Sequence, residues 1–304
     1  MNTKLTLKDI LGPMRLPFLL LPPVCVALGV GVAFWRTGEL NWWFALLALI
    51  GAVSSHISVN AFNEYFDFKS GLDALTSKTP FSGGSGTLPQ RPEAAKAALV
   101  TSIVTLVIPL LIGVYFLQVW GWGIVPLGIF GLLIVFGYTK WITLNWFFCL
   151  IAPGLGFGML WVMGTDYVLT GSYSMQAGLA SLIPFFLVSN LLLLNQFPDV
   201  EADRQVGRQH LPIVIGRQAS ARVYIAFLAL TYLSLIVSVA ASYLPVWALL
   251  GLATLLFAIP AGKGAYQNAD DIGKLIPHMG QNVMINLLTP LLTAIGLFIA
   301  ALLP

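Results

Sequence analysis

The amino-acid sequence predicts an all-α polytopic membrane protein, a bundle of about nine transmembrane helices. Of its 304 residues, 58% are hydrophobic and only 9% are charged, and the mean hydropathy is +0.87. Soluble domains carry about 25% charged residues, so this chain has too few charges to cover a soluble surface. Its apolar runs are about twenty residues long, which suits transmembrane helices and excludes the alternating pattern of a transmembrane β-barrel.

The chain begins with a polar segment, residues 1–15, in which Leu7, Ile10, Leu11 and Met14 recur at helical spacing. We expect this segment to form an amphipathic helix that lies on the membrane surface. Nine apolar spans follow, and each is long enough to cross a hydrocarbon core of about 30 Å. The spans cover residues 16–35, 42–63, 95–117, 121–139, 145–165, 177–197, 219–242, 245–262 and 280–303.

The basic residues are divided unequally between the two sides that nine spans create. The N-terminus and the loops after spans two, four, six and eight hold 14 of the 15 Lys and Arg residues, and only Arg36 lies on the other side. The positive-inside rule therefore places the N-terminus and the long loops in the cytoplasm. Ten of the twelve acidic residues share that side, with Glu39 and Asp166 as the exceptions. Because the insertion rule does not sort acidic residues, their placement requires another explanation.

Composition also excludes several kinds of site. The two cysteines, Cys25 and Cys149, fall inside apolar runs, and the absence of Cys/His clusters excludes disulfide, zinc and iron–sulfur frameworks. The histidines His56, His210 and His278 are far apart in the sequence, and we interpret them as packing or interfacial residues. The net charge of +3 is too small to imply a nucleic acid or another polyanionic partner.

A first acidic motif follows the end of the second span. Asp67 lies four residues after Asn63 and three after Glu64, so all three can share one face of a helix. Gly71 is expected to end that helix and to turn Asp73 back toward the same face.

A second acidic motif follows the end of the sixth span. Asn195, Asp199 and Asp203 are spaced at four and eight residues, which predicts a single stripe along one helix. Pro198 is expected to kink that helix, as membrane helices tolerate.

Two carboxylate stripes at the same membrane face repel each other unless cations lie between them. Carboxylate and amide oxygens suit a hard cation, and Mg²⁺ commonly binds one or two carboxylates together with water and substrate phosphate oxygens. The residues therefore predict a Mg²⁺–diphosphate site with four catalytic carboxylates, Asp67, Asp73, Asp199 and Asp203. The predicted metal ligands are Asn63, Glu64, Asp67, Asp73, Asn195, Asp199 and Asp203.

A glycine-rich loop, residues 77–87, connects the second and third spans. Glycines let backbone N–H groups approach an anion closely, although the loop lacks the spacing of a Walker A motif. The predicted diphosphate-binding residues are Lys78, Ser82 and Ser85 of this loop and Arg208 after the second motif. A lipid-tailed diphosphate would fit, with its head in the polar site and its tail among the apolar spans.

The paired motifs, Asn63-x₃-Asp67-x₅-Asp73 and Asn195-Gln-x₂-Asp199-x₃-Asp203, resemble the two Asp-rich motifs of the UbiA-type intramembrane prenyltransferases. The resemblance covers nearly the whole chain as a single domain, residues 1–304. The segments 82–86 and 195–199 look most like the menaquinone branch, which prenylates 1,4-dihydroxy-2-naphthoate. The sequence departs from the family pattern at Glu64, where many members have Asp, and at Phe157, where bacterial menaquinone enzymes tend to have an acidic residue.

The resemblance implies Mg²⁺-dependent transfer of a polyprenyl group from an allylic diphosphate to an aromatic acceptor. The loops 64–94 and 198–218 are then expected to form an active site that faces the cytoplasm at the inner membrane. Asn60, Tyr138 and Asn190 are expected in an acceptor or cation pocket. The partners would be a polyprenyl diphosphate, the aromatic acceptor and the lipid bilayer. The acceptors 4-hydroxybenzoate and homogentisate remain alternatives, as does a different class of protein, a membrane transporter.

Overall fold

The structure, a computed structural model, describes residues 5–76 and 78–303. Its α-helices are, in chain order, α1 (Leu7–Leu11), α2 (Leu21–Thr37), α3 (Trp42–Ser70), α4 (Leu72–Leu75), α5 (Thr87–Gln90), α6 (Ala95–Trp120), α7 (Val125–Lys140), α8 (Trp146–Gly154), α9 (Gly164–Thr170), α10 (Met175–Asn195), α11 (Val200–Gln205), α12 (Leu211–Ile215), α13 (Arg217–Ala240), α14 (Leu255–Gln267) and α15 (Ile272–Leu302). The described residues contain no β-strand, which confirms the predicted all-α class.

Eight segments within the described residues are long and apolar enough to cross a membrane, and one of them, Pro92–Tyr138, has 47 residues. A straight helix of that length would extend about 70 Å, more than twice a hydrocarbon core. The structure interrupts the segment at Gly121, which has a φ of +71° and begins a short 3₁₀ turn, Gly121–Ile124. Because α6 and α7 both pack against α3, the chain folds back at this turn. The count of nine spans and the cytoplasmic N-terminus stay predictions.

The fifth predicted span is one continuous rod in which α8 and α9 are joined by a π-helical segment, Leu155–Met163. Gly154 and Gly158 face α10 so closely that a Cβ atom would lie 2.2 Å from the carbonyl oxygen of Phe185 or 2.4 Å from that of Ser181. The two glycines therefore allow this rod to pack tightly on α10. Wide π turns often occur at functional sites, and this one lies beside the main cavity.

The helices form two groups. One group, α2, α10, α13, α14 and α15, encloses an apolar core, and the other consists of α3, α6 and α7. The largest wholly buried aliphatic side chains of the first group are Leu28, Ile183, Leu187, Leu193, Leu194, Leu235, Leu275 and Met279. Large apolar side chains such as Leu111, Leu133 and Leu256 point outward and are exposed, as expected of a multi-pass membrane protein whose outer surface contacts lipid.

Two of the charged residues that we predict on the membrane side opposite the N-terminus form a buried ion pair. Arg36 donates from Nη1 to both carboxylate oxygens of Asp166, at 2.8 and 2.9 Å, and the Ser174 hydroxyl donates to the same carboxylate at 2.6 Å. Asp166 is wholly buried. The pair explains how two of the few charges outside the acidic motifs are accommodated.

The N-terminal segment differs from the predicted amphipathic helix. Only Leu7–Leu11 is α-helical, with a capping box between Thr6 and Asp9, and residues 1–4 lie outside the described residues. A 3₁₀ turn then runs over Gly12–Met14. Pro13 lacks an N–H group and cannot continue the α-helical hydrogen bonds, which explains the early end.

The second acidic motif does not lie on one continuous helix, so that prediction was wrong. Helix α10 ends at Asn195, a turn covers residues 196–199, and α11 restarts at Val200. Pro198 has no N–H group to donate, so the helix breaks here and does not merely kink. The backbone N–H of Asp199 donates instead to the carbonyl of Gln196, at 3.2 Å.

Candidate active site

A large cavity of about 410 Å³ is lined mainly by α3, α6, α7, α10 and the rod that runs from α8 to α9. Its charged lining residues are Arg15, Asp67, Asp73, Asp199, Asp203 and Arg208, which all lie at one end. At the other end the lining is almost entirely apolar, with Phe116, Ile124, Leu127, Leu160 and Val168 among its residues. The cavity therefore has a polar head and an apolar tail, the shape that a lipid-tailed anion requires.

Both predicted motifs line the head of this cavity. Asn63 and Asp67 lie on the last turns of α3, and Asp73 lies on α4, just after the left-handed Gly71 with a φ of +79°. Asn195, Asp199 and Asp203 line the same cavity from the other side, despite the break in their helix. The structure thus brings together six of the seven predicted metal ligands, and Glu64 is the one that does not line the cavity.

Arg208 joins the two motifs. Its Nη2 contacts the carboxylate of Asp67, and its Nη1 donates to Oδ1 of Asp203 at 3.0 Å. The other oxygen of Asp203 is 2.9 Å from Nε2 of the buried His210. The guanidinium therefore supplies the positive charge that two facing carboxylate stripes need.

Two carboxylates of the head keep oxygens without partners. Oδ2 of Asp73 and Oδ1 of Asp199 are buried and have no hydrogen-bond partner among the described residues. Burial and the carboxylates of Glu64 and Asp67 raise the pKa of Asp73 to about 7. Burial and the carboxylate of Asp203 likewise raise the pKa of Asp199 to about 7, against a hydrogen bond from Ser82 that lowers it. A bound cation would stabilise the ionised form of both carboxyl groups and so lower their pKa values.

The donor set fits a hard cation bound together with its substrate. No three His, Cys, Asp or Glu side chains within the described residues already converge as a ready ligand cage. Mg²⁺ does not require one, because it commonly uses one or two carboxylates and takes its remaining ligands from water and phosphate oxygens. The unpartnered oxygens of Asp73 and Asp199 are the atoms in this structure that best meet that need.

Glu64 supports the glycine-rich loop. Its side chain is wholly buried and accepts hydrogen bonds from Nε of Arg15 at 2.8 Å and from the backbone N–H and hydroxyl of Ser85 at 2.6 and 2.8 Å. Arg15 also donates to Asn63 at 3.1 Å. Gly84 lies so near that a Cβ atom would be 3.1 Å from Glu64. The carboxylate therefore fixes the N-terminal segment and the loop against α3, and its predicted role as a metal ligand stays a prediction.

We expect Glu64→Gln to lower the free energy of unfolding, because it leaves the Arg15 guanidinium without its anionic partner. Removing a charged hydrogen-bond partner from a buried group costs about 2 kcal/mol. The measurement is the thermal midpoint in detergent, with Glu93→Gln as the control because Glu93 is exposed. An unchanged midpoint together with a large fall in kcat would instead favour Glu64 as a metal ligand.

The predicted diphosphate-binding residues divide into two sets. Ser82 and Arg208 line the cavity, whereas Lys78 and Ser85 do not. Nζ of the exposed Lys78 donates to the backbone carbonyl of Ser85, and the Ser85 hydroxyl bonds Glu64 and Thr87. Lys78 and Ser85 thus hold the shape of the loop in this structure, and direct binding of diphosphate by these two residues stays a prediction.

The predicted acceptor residues divide in the same way. Asn60 and Tyr138 line the cavity, and Nδ2 of Asn60 donates to the carbonyl of Met14 at 3.1 Å. Asn190 does not line it: the side chain is buried on another face of α10 and donates to the carbonyl of Tyr224 at 2.8 Å. The expectation for Asn190 therefore fails on its position.

Three residues that line the cavity were not predicted from the sequence. His56 and His210, interpreted as packing residues, both line the cavity, and so does Arg15 of the supposed surface segment. A signal for His56 was present, because His56, Asn60 and Asn63 are four and three residues apart and share a helix face. The contact of Arg15 with Glu64 spans 49 residues and had no local signal.

A family model for the UbiA prenyltransferase family matches residues 20–276. The chain belongs to the UbiA prenyltransferase family. It is 27% identical over 280 residues to the 1,4-dihydroxy-2-naphthoate octaprenyltransferase of Bacillus subtilis (strain 168), covering 91% of this chain and 88% of that one. It is also 27% identical over 254 residues to the protein of the same name from Mycobacterium leprae (strain TN), covering 82% and 81%. These findings confirm the predicted family and its likeness to the menaquinone branch.

Solved UbiA structures share the fold. The apo structure of a UbiA homologue from Aeropyrum pernix K1 superposes with a TM-score of 0.69 at 17% identity and covers 94% of this chain and 98% of that one. A UbiA homologue from Archaeoglobus fulgidus, bound to DMAPP and Mg²⁺, gives 0.63 at 14% identity and covers 97% and 100%. This chain is therefore a multi-pass membrane enzyme of the prenyltransferase class.

Proposed function

We propose that this UbiA-family enzyme transfers a polyprenyl group from an allylic diphosphate to 1,4-dihydroxy-2-naphthoate, as in menaquinone biosynthesis, and that it uses Mg²⁺. The observation that carries the proposal is the cavity itself, in which two acidic motifs face each other above an apolar tail. The two naphthoate octaprenyltransferases named above, each similar along most of this chain, support the acceptor.

The head of the cavity binds the diphosphate. Ser82, Arg208 and the backbone N–H groups of the glycine-rich loop contact its oxygens, and Glu64 and Lys78 hold the loop in place for them. Mg²⁺, when bound by Asp67, Asp73, Asp199 and Asp203, supplies Lewis-acid stabilisation of the charge on the leaving diphosphate.

The tail of the cavity protects the reactive carbon. The C–O bond of the allylic diphosphate breaks, and its electron pair leaves with the diphosphate. The apolar walls exclude water that would quench the allylic cation. Tyr138, near the head, presents an aromatic ring that stabilises a cation. A ring carbon of the acceptor then bonds to the cation, and CO₂ leaves from the same carbon, which restores aromaticity.

We also propose that the head faces the cytoplasm, at the inner membrane of the cell. The distribution of basic residues, 14 of 15 on one side of the predicted spans, supports this orientation. Water-soluble diphosphate products would then be released into the cytoplasm.

The test is a panel of acceptors incubated with membranes that contain this protein, Mg²⁺ and polyprenyl diphosphates of several lengths. We expect released CO₂ and the prenylated hydroquinone, demethylmenaquinol, from 1,4-dihydroxy-2-naphthoate; the latter is measured by extraction and chromatography as demethylmenaquinone after oxidation by air. Faster product formation from 4-hydroxybenzoate or homogentisate, with no naphthoate product, would contradict the acceptor and leave the prenyltransferase class intact. Membranes without the protein provide the background rate.

A further inference from the structure

His56 lies on the same stripe of α3 as three residues of the head. His56, Asn60, Asn63 and Asp67 follow one another at four, three and four residues, and all line the main cavity. At 1.5 Å per residue, His56 lies about 10 Å along the helix axis from Asn63 and about 16 Å from Asp67. It is therefore below the head, where the cavity becomes apolar.

The imidazole of His56 is fixed by packing, but one of its nitrogens has no hydrogen-bond partner among the described residues. The residue is only 7% exposed, and its Nδ1 has no hydrogen-bond partner in the described part of the chain. The ring of Phe157 packs against it edge to face, with 5.0 Å between centroids and an interplanar angle of 85°, and Trp161 lies 5.8 Å away. Aromatic packing thus fixes the ring while a polar atom remains unpaired.

Each of the other two histidines pairs one ring nitrogen. Nε2 of His210 is 2.9 Å from Asp203, although its Nδ1 is buried without a partner among the described residues, and Nδ1 of His278 is 2.9 Å from Gln281. A buried polar atom without a partner is costly, so a residue that only lined the tail would be expected to be apolar. An unpaired nitrogen at a cavity wall indicates that its partner comes with a ligand.

We propose that His56 binds the aromatic acceptor by accepting a hydrogen bond from the ring hydroxyl farther from the carbon that is prenylated. This inference rests on the proposed function and names a specificity residue for it. The reacting carbon lies just below the diphosphate, beside Asn60 and about 6 Å along the helix axis from His56, so the opposite edge of the acceptor points down the stripe toward His56. In 1,4-dihydroxy-2-naphthoate the hydroxyl at carbon 4 occupies that edge.

The test compares two acceptors in two proteins. We expect His56→Phe to raise the KM for 1,4-dihydroxy-2-naphthoate about 10-fold, the usual effect of losing one hydrogen bond. The KM for 1-hydroxy-2-naphthoate, which lacks the distal hydroxyl, and the KM for the prenyl diphosphate should stay within about 2-fold. Comparing each acceptor with itself across the proteins removes the difference in reactivity between the two rings.

Two further variants distinguish the loss of one hydrogen bond from a general loss of folding or activity. His56→Gln keeps an oxygen that can accept the hydrogen bond and should recover part of the affinity for the dihydroxylated acceptor. His278→Phe makes the same chemical change outside the cavity and should leave all three KM values unchanged. Elution as a folded species in detergent, with an unchanged thermal midpoint, establishes that each variant is intact.

Several outcomes would overturn the assignment. Equal changes for the two acceptors would mean that His56 does not contact the distal hydroxyl, and a raised KM for the diphosphate alone would make it part of the tail wall. If His56→Phe fails to fold, a folded His56→Leu protein in which the ratio of the two acceptor KM values is unchanged would assign His56 to packing. Failure of the unaltered protein to use the naphthoate would instead overturn the proposed function, and this inference with it.

Discussion

Excess EDTA is expected to reduce prenyl transfer by this protein at least ~10²-fold, with activity restored by added Mg²⁺. The reason lies in the charges of the cavity head, where four carboxylates are accompanied by only two guanidinium groups. Arg208 is already engaged by Asp67 and Asp203, and Arg15 by Glu64. A diphosphate that entered this head without additional cations would therefore meet net negative charge.

The measurement is product formation in washed membranes after EDTA treatment, followed by titration with Mg²⁺. Binding of radiolabelled prenyl diphosphate under the same conditions shows whether the loss occurs at binding, as the charges predict, or only at the chemical step. Full turnover in excess EDTA would contradict the metal prediction and leave Arg208, Ser82 and the loop as the complete diphosphate site.

The acidic residues that meet at the cavity could be predicted from the sequence because each motif lies within a short stretch of chain, where residue spacing determines which side chains share a face. Asn63 and Asp67 lie on one helix at a spacing that sets their common face, and the structure retains that face. Asn195, Asp199 and Asp203 reach the same cavity even though their predicted helix is broken at Pro198. Spacing thus predicted which residues meet at one cavity, whereas the proline changed the backbone that carries them.

Two errors on helix faces could have been avoided by the same arithmetic. Asn190 precedes Asn195 by five residues, which places it about 140° around the helix and away from the motif. His56 precedes Asn60 by four residues, which places it on the motif's own face. Asn190 was expected in the pocket and His56 was not, whereas in the structure His56 lines the cavity and Asn190 does not.

Contacts between distant segments had no such signal. Arg208 contacts Asp67 across 141 residues, and Ser85 donates to Glu64 across 21. A stripe of carboxylates predicts that cations are needed, but it does not say which arginine supplies them. That choice depends on how α3, α4 and the segment after α10 pack together, and this packing is a property of the folded chain.

Asp199→Asn is expected to reduce turnover at least ~10²-fold, since a preorganised charge that stabilises a transition state has effects of that size. Asp199, in the second motif, keeps a buried oxygen without a partner in the described residues. Asparagine preserves the shape of the side chain, removes the charge and replaces one carboxylate oxygen with an NH₂ group. The measurement is kcat in detergent with saturating Mg²⁺ and both substrates.

A matched control is available on the adjacent short helix. The side chain of Glu201 is 66% exposed and lies outside the cavity, so Glu201→Gln removes the same charge without touching the site. Its kcat should stay within about 2-fold of the unaltered protein. If Asp199→Asn also keeps a near-normal kcat, the assignment of the second motif is wrong.

Stability should change in the opposite direction from activity. Because burial and Asp203 raise the pKa of Asp199 to about 7, the folded metal-free protein retains a proton there that the unfolded chain releases near pH 4. The folded state therefore binds more protons between about pH 4 and 7, and its stability falls as the pH rises through this window.

Asparagine cannot ionise, so at pH 8 in EDTA the variant should have a thermal midpoint equal to or above that of the unaltered protein, and its midpoint should depend less steeply on pH. A lower midpoint would mean that the Asp199 carboxylate stabilises the fold, and a loss of turnover could then no longer be assigned to the missing charge alone.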